Sequence, residues 1–236
     1  FQYDVAHVSL ANAADLMLIA PATANVIAKM AHGQADDMLT TVTLAAHCPK
    51  LVAPAMNTHM LENPITQDNI KTLEHYGFTV IPSGSGLLAC GDVGSGRLPE
   101  ESVLVDYVLR ELACEKDLTG KKVVVSAGAP QEPMDPVRYL TNHSTGKMGY
   151  AVARACMLRG AEVVLLSSTS CTQPDVPFVK KVPFTTAKDL FEAVKANAMD
   201  ADALVMAAAV ADYRPAEVAA DKVKKHDGEM NIALER

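Results

Sequence analysis

Tryptophan is absent from the 236-residue chain, and aromatic residues make up only 5% of it. A β-sandwich core built on large rings is therefore excluded, and so is a disordered chain, because 49% of the residues are apolar. Ala, Val, Leu and Met must fill the interior, which is the make-up of an α/β protein. No apolar run approaches the roughly 20 residues that a membrane span needs. A basic excess is also missing. The formal net charge is -7, so no broad cationic face exists for a nucleic-acid backbone, although a local cationic site for one phosphorylated metabolite is compatible with it.

Paired cysteines are lacking too. The five thiols (Cys48, Cys90, Cys114, Cys156 and Cys171) are odd in number, scattered, and include no C-x-x-C. A disulfide framework and a zinc site are both disfavoured, and reduced thiols in a cytoplasmic setting are expected. No signal peptide is read, since an acidic residue follows Phe1 within three positions. The opening residues resemble the middle of a domain, so a fragment is expected, with sequence missing before Phe1 and after Arg236.

What is present alternates. The short apolar run Leu16–Ala20, then Pro21, then apolar residues at helical spacing from Val26 predict a buried strand, a tight turn and a helix. "KLVAPAMN" repeats the strand-then-turn form. "NPITQDNIKTLEHYG" predicts a helix capped at Gly77, and "FTVIPSGSG" a further strand. A helix over Pro99–Leu118 precedes a restart at "TGKKVVVSAGAP". Helices over Gly146–Arg159 and Ala187–Met199 follow, with strands over Glu162–Ser167 and Ala203–Ala209. The pattern predicts two tandem three-layer α/β units with mostly parallel sheets, residues 1–116 and 117–236, the first lacking its front and the second its back.

Several segments carry chemistry. "GSGLLA" formally matches G-x-G-x-x-A, but Cys90, Gly91 and Asp92 interrupt where a helix should start, so it is not a dinucleotide fingerprint. "HSTGKMG" lacks the upstream glycine of a phosphate loop. "PATANV" places Thr23 and Asn25 where a strand meets a helix, either as a phosphate seat or with Asn25 as an ordinary cap. In "APAMNTHM", packing accounts for Met56 and Met60 but leaves Asn57 an unpaired amide if it is buried. His7 precedes the first expected strand. "DPVRYLTNHSTGK" concentrates Asp135, Arg138, Asn142, His143, Ser144, Thr145 and Lys147 at one strand-to-helix junction, suited to phosphate or carboxylate. Lys222, Lys224 and Lys225 form a cluster that reads equally as a solvated face. Cys90 lies in a stretch with five glycines between residues 83 and 100.

Together, "ADLMLIAPATAN", "PAMNTHM", "LACGDVGSGR", "DPVRYLTNHSTGKMGYAVA" and "AAAVADYRPAE…DKVKK" resemble one family in order and spacing. It is the bifunctional coenzyme A biosynthesis flavoproteins, in which a phosphopantothenoylcysteine decarboxylase is fused to a phosphopantothenate–cysteine ligase. The resemblance implies a flavodoxin-like FMN unit followed by a Rossmann-like ligase unit. It assigns Thr23, Ala24, Asn25, Val26 and Ala55 to FMN, and His7, Asn57 and Cys90 to decarboxylase catalysis. Asn57 also holds the substrate carboxylate, Met60 is a second substrate contact, and Leu87, Leu88 and Ala89 lie on a flap over the substrate. Cys90 is the proton donor.

For the ligase, the resemblance assigns Asn142 and Lys222 to catalysis and Gly128, Ala209, Asp212 and Lys222 to CTP. Magnesium bridges the phosphates, and no metal-ligating residue is assigned. The implied partners are phosphopantothenate, cysteine, CTP and phosphopantothenoylcysteine, with no nucleic acid and no membrane. Trimeric decarboxylase units and dimeric ligase units are implied, with a dodecamer combining both. Alternatives are activity in one half only, or a flavoprotein regulatory module. "AGAPQEP" departs from the family pattern, placing Pro130 and Gln131 where relatives carry a hydroxyl and a cation, which implies a weaker or rearranged phosphate contact near Gly128.

Overall fold

A computed structural model describes residues 5–87, 91–224 and 227–236. The chain divides into two compact units, Phe1–Cys114 and Glu115–Arg236. The first runs α1 (Ala6–Ala13), β1 (Met17–Ala22), α2 (Ala24–Ala31), α3 (Met38–Ala45), β2 (Lys50–Pro54), α4 (Thr58–Glu62), α5 (Pro64–His75), β3 (Thr79–Val80), β4 (Gly84–Leu87), β5 (Val93–Arg97) and α6 (Glu101–Leu112).

Strands β1, β2 and β3 form a parallel sheet in that order. Alternate residues face opposite layers. Val52 packs with Ile19, Ile27 of α2 and Leu73 of α5, whereas Leu51, Ala53 and Ile81 pack beneath Val103, Leu104 and Tyr107 of α6. Helix α5 follows the sequence signals: Asn63 accepts from the Ile65 amide, Pro64 opens the first turn, and Gly77 with φ +85° ends it.

His7 precedes the first strand, as the sequence reads, and lies inside α1, whose Ala11 packs on Val42 and Ala46. Three expectations need correction. The first strand does not turn at Pro21 but continues to Ala22, with the Ala20–Pro21 peptide cis. As an edge strand, β1 tolerates the missing amide. Nor is β1 buried throughout, since only Ile19 and Ala22 are fully enclosed. Finally, the glycine-rich segment forms an antiparallel hairpin of β4 and β5.

The second unit runs β6 (Lys122–Ala127), β7 (Glu132–Pro133), β8 (Tyr139–Leu140), α7 (Lys147–Leu158), β9 (Glu162–Ser168), β10 (Val179–Phe184), α8 (Ala187–Ala198), β11 (Ala203–Met206), β12 (Arg214–Pro215) and β13 (Leu234–Glu235). Its main sheet is parallel, in the order β10-β9-β6-β11. Val123, Val125, Val163 and Leu165 pack under Ala153 and Met157 of α7, and Val124, Val164 and Leu166 pack with Leu190 of α8. Each such fully buried aliphatic side chain contributes about 1.5–3 kcal/mol. The last expected strand, over 203–209, ends at Met206. The amides of Ala207 and Ala208 leave the ladder and both donate to Ser126 Oγ at 3.1 Å. This strand is also not buried, as Leu204 and Met206 are exposed on the sheet edge.

Candidate functional site

In the first unit the tips of β1 and β2 are tied together by the Ala55 amide donating to Ala22 O at 3.0 Å. The bond sets Thr23–Val26 beside Ala55–Asn57 at the carboxyl end of the sheet, where open α/β sheets take ligands. Thr23, not Asn25, is the N-cap of α2, and its hydroxyl accepts from the Val26 amide at 3.3 Å. Asn25 is exposed in the first turn. The amides of Ala24 and Asn25 have no intrahelical partner by geometry, and no acidic residue lies in that turn. With the helix dipole behind them, these donors fit the phosphate of a flavin nucleotide.

The far end of α2 is anchored. Lys29 Nζ reaches Asp36 at 2.7 Å and Asp37 at 3.2 Å. Asp37 caps α3, and donation by the Thr40 amide, with the Thr40 hydroxyl and Lys29, holds its carboxyl at about 2 against an ordinary 3.8.

Asn57 is neither buried nor unpaired. It caps α4, accepting from the His59 amide at 2.9 Å, and its amide nitrogen donates to Asp92 at 3.4 Å. Its nitrogen is thus the end presented to a carboxylate. The hairpin closes over this point. Thr58 Oγ1 donates to Ser95 O at 2.7 Å, and the Met56 amide donates to Gly96 O at 2.9 Å. Gly96 has φ +111°, and a Cβ there would collide with Met56 O.

Met60 on α4 and Leu87 at the end of β4 are exposed. Leu88, Ala89 and Cys90 lie outside the described residues, as does Lys225. His7 is half-buried on α1, and no hydrogen bond among the described residues joins it to Thr23–Val26 or Asn57.

In the second unit, Gly128 ends β6 with φ +87°, and a Cβ there would strike Cys171 Sγ and lie 2.8 Å from Ser168 Cβ. The Ala209 amide donates to Gly128 O at 2.8 Å, and Asn142 Nδ2 donates to Ala209 O at 3.3 Å and Val210 O at 3.2 Å. Gly128, Ala209 and Asn142 are therefore brought together at the strand tips. An open cavity of about 620 Å³ lies there, lined by residues that include His143, Ser144, Gly146, Lys147 and Ala209.

Lys222 lines a different cavity, of about 740 Å³, with Val137, Arg138, Val223 and Lys224. Asp212 is exposed and lines neither. Asp135 differs from its sequence-level reading, because it is buried and spends its oxygens on the chain itself. The departing "AGAPQEP" segment is fixed internally. Ala129 O accepts from Ser168 Oγ at 2.6 Å, Pro130 O accepts from Thr141 Oγ1 at 2.6 Å, and the Gln131 amide donates to Thr185 O at 2.7 Å. Its turn is thus held by its own carbonyls and the Gln131 amide.

No group of three His, Cys, Asp or Glu among the described residues is arranged to hold a metal ion. No helix among them is long and apolar enough to cross a membrane.

Comparison with known proteins matches residues 1–113 to the family described as Flavoprotein, and residues 118–236 to the DNA/pantothenate metabolism flavoprotein C-terminal domain. The chain is 47% identical over 237 residues to the coenzyme A biosynthesis bifunctional protein CoaBC of Mycobacterium tuberculosis H37Rv, covering 98% of this chain and 57% of that protein. The Bacillus subtilis 168 protein of the same name is 45% identical, with 98% and 58% covered. The chain therefore spans less than two thirds of the length of these relatives.

Among solved structures, a PPC decarboxylase Cys-to-Ser mutant complexed with pantothenoylaminoethenethiol is 39% identical, covering 46% of this chain and 60% of that one, at TM-score 0.45. The C-terminal domain of a CoaBC protein is 39% identical over 50% of this chain and 55% of that one, at TM-score 0.43. The two family matches follow one another along the chain, and the bifunctional relatives align with 98% of it: the chain belongs to the DNA/pantothenate metabolism flavoprotein family.

Proposed function

We propose that the protein carries out two steps of coenzyme A biosynthesis. In the second unit, CTP activates the carboxylate of 4'-phosphopantothenate as an acyl-cytidylate, pyrophosphate leaves, and the amine of cysteine attacks. In the first unit, phosphopantothenoylcysteine is oxidatively decarboxylated to 4'-phosphopantetheine. The observation that carries the reading is the Ala55–Ala22 hydrogen bond, which sets a phosphate-type helix start beside the Asn57 amide at the tips of two parallel strands.

FMN, when bound, supplies the two-electron oxidation of the substrate thiol and the return of the hydride. The chain's residues do the rest. Thr23 fixes the helix start by accepting from the Val26 amide, the amides of Ala24 and Asn25 would hold the phosphate, and Ala55 would be a further flavin contact. Asn57 Nδ2 holds the substrate carboxylate until it departs as CO2. Leu87, Leu88 and Ala89 keep water out, Met60 lines the substrate, and the Cys90 thiol returns a proton to carbon. His7 enters the site from α1 in a trimeric arrangement.

In the ligase, Lys222 neutralises charge developing on the phosphates, Asn142 orients the activated acyl group, and Gly128, Ala209 and Asp212 border the nucleotide. Magnesium, a hard cation that prefers oxygen, arrives on the triphosphate. Dimeric ligase units, a larger homo-oligomer and a cytoplasmic setting complete the reading. Purified full-length protein should be yellow with bound flavin and release CO2 from phosphopantothenoylcysteine. Colourless protein without that release overturns the decarboxylase half.

A further inference from the structure

We propose that Asp135 is a positioning residue of the second unit, which holds Lys222 and Lys224 at the mouth of their cavity by clamping the peptide between them. The inference rests on the reading of Lys222 as the lysine facing the nucleotide phosphates.

Val223 is gripped by both of its backbone groups. Its amide donates to Asp135 Oδ2 at 3.1 Å, and its carbonyl accepts from Arg138 Nη2 at 2.6 Å. Arg138 is itself held by Asp135, with Nε at 3.0 Å and Nη2 at 2.7 Å from the same Oδ2. The other oxygen, Oδ1, accepts the amides of Val137 at 2.8 Å and Arg138 at 2.7 Å. Met134 O adds a further tie by accepting the Ala219 amide at 3.0 Å. Five donors thus converge on a carboxylate whose side chain is 1% exposed.

Burial pushes the Asp135 carboxyl up, but donation by the Val137, Arg138 and Val223 amides and by the Arg138 guanidinium outweighs it and holds the group at about 2. The charge is therefore permanent at neutral pH.

Fold stability alone does not call for such a group, because a buried ion pair is often no better than apolar packing of the same shape. What it does supply is geometry. Lys222 and Lys224 are exposed and have no ion-pair partner among the described residues, and with Arg138 they set three cations around one cavity. Their mutual repulsion and long flexible stems would spread the segment. The buried anion at its base opposes that spread while leaving both ammonium groups available to an incoming polyanion.

The test is a double-substitution cycle in the full-length protein, read as pyrophosphate release with CTP, magnesium and 4'-phosphopantothenate. Asp135→Asn places an amide donor against the Val223 amide and the guanidinium. It should lower kcat/KM for CTP about tenfold or more with KM for phosphopantothenate unchanged. In the Lys222→Ala background the same substitution should change kcat/KM less than about twofold, since residues acting as a unit are non-additive.

Hydrogen exchange supplies a readout independent of activity. In Asp135→Asn it should quicken over residues 222–224 and stay unchanged in β6 and β9. Arg138→Lys, on a side chain 40% exposed and so tolerant of replacement, should act in the same direction if Asp135→Asn does not fold. Additive losses, or exchange that rises evenly through the unit, overturn the positioning role. Undiminished pyrophosphate release by Lys222→Ala overturns the functional reading instead.

Discussion

Thr58 Oγ1 donates to Ser95 O at 2.7 Å, and this bond fastens the β4–β5 hairpin to the first turn of α4, one residue beyond Asn57. Strand β5 is thus tied twice to the segment that carries Asn57, the second tie being the Met56 amide donating to Gly96 O at 2.9 Å.

Replacing Gly96 by Ala tests that tie. The residue sits at φ +111°, and the added Cβ would meet Met56 O. Backbone strain of this kind costs about 1–3 kcal/mol. The variant should lose decarboxylation while retaining flavin, as read by CO2 release and visible absorbance. Full turnover would separate the hairpin from the chemistry.

The phosphate seat makes a second prediction. Thr23→Ala removes the side-chain cap of α2, at a cost of about 0.5–2 kcal/mol of helix stability. Flavin should dissociate more readily on dilution or gel filtration, and Thr23→Ser should restore retention because it keeps the accepting oxygen. Equal retention by both variants would show that the cap does not serve the cofactor.

Acid stability offers a third. Asp37 has a folded-state value of about 2, below its ordinary 3.8, so its stabilisation is present above about pH 4 and is lost as pH falls towards 2. Urea unfolding followed between pH 5 and 2 should show this loss in the native protein and a shallower dependence in Asp37→Asn. Parallel curves would deny the Thr40 contact its role.

Much of the fold is legible in sequence, for identifiable reasons. Strands β2, β6 and β9 are continuous apolar runs, α5 and α8 carry capping residues at Asn63 and Thr186, and Gly77 marks a helix end. Other elements are silent. Helix α1 follows Val5, which offers no side-chain cap, and β10 hides two lysines and a proline on the sheet edge. The hairpin is hard to read because Gly94 and Gly96 answer to close contacts with Thr58 and Met56, far away in sequence. At the site, Thr23 is legible as polar at a strand end, but its precedence over Asn25 as the cap depends on where the strand stops. Asp135 reads as a ligand-binding residue because its partner Val223 lies 88 positions away.

Cys90 carries the fourth prediction. General acids contribute about 10²–10⁴-fold. Cys90→Ser should still release CO2 from phosphopantothenoylcysteine but form 4'-phosphopantetheine at least about 10²-fold more slowly. Normal product formation would remove Cys90 from the reaction.

The most direct measurement of the whole account supplies full-length protein with 4'-phosphopantothenate, cysteine, magnesium and CTP, and follows pyrophosphate and CO2 separately. Pyrophosphate should appear first and in step with CTP consumption, with an equal amount of CO2 following. Release of neither product, or CO2 from these substrates without pyrophosphate, would contradict the assignment of two consecutive steps to the two sheets.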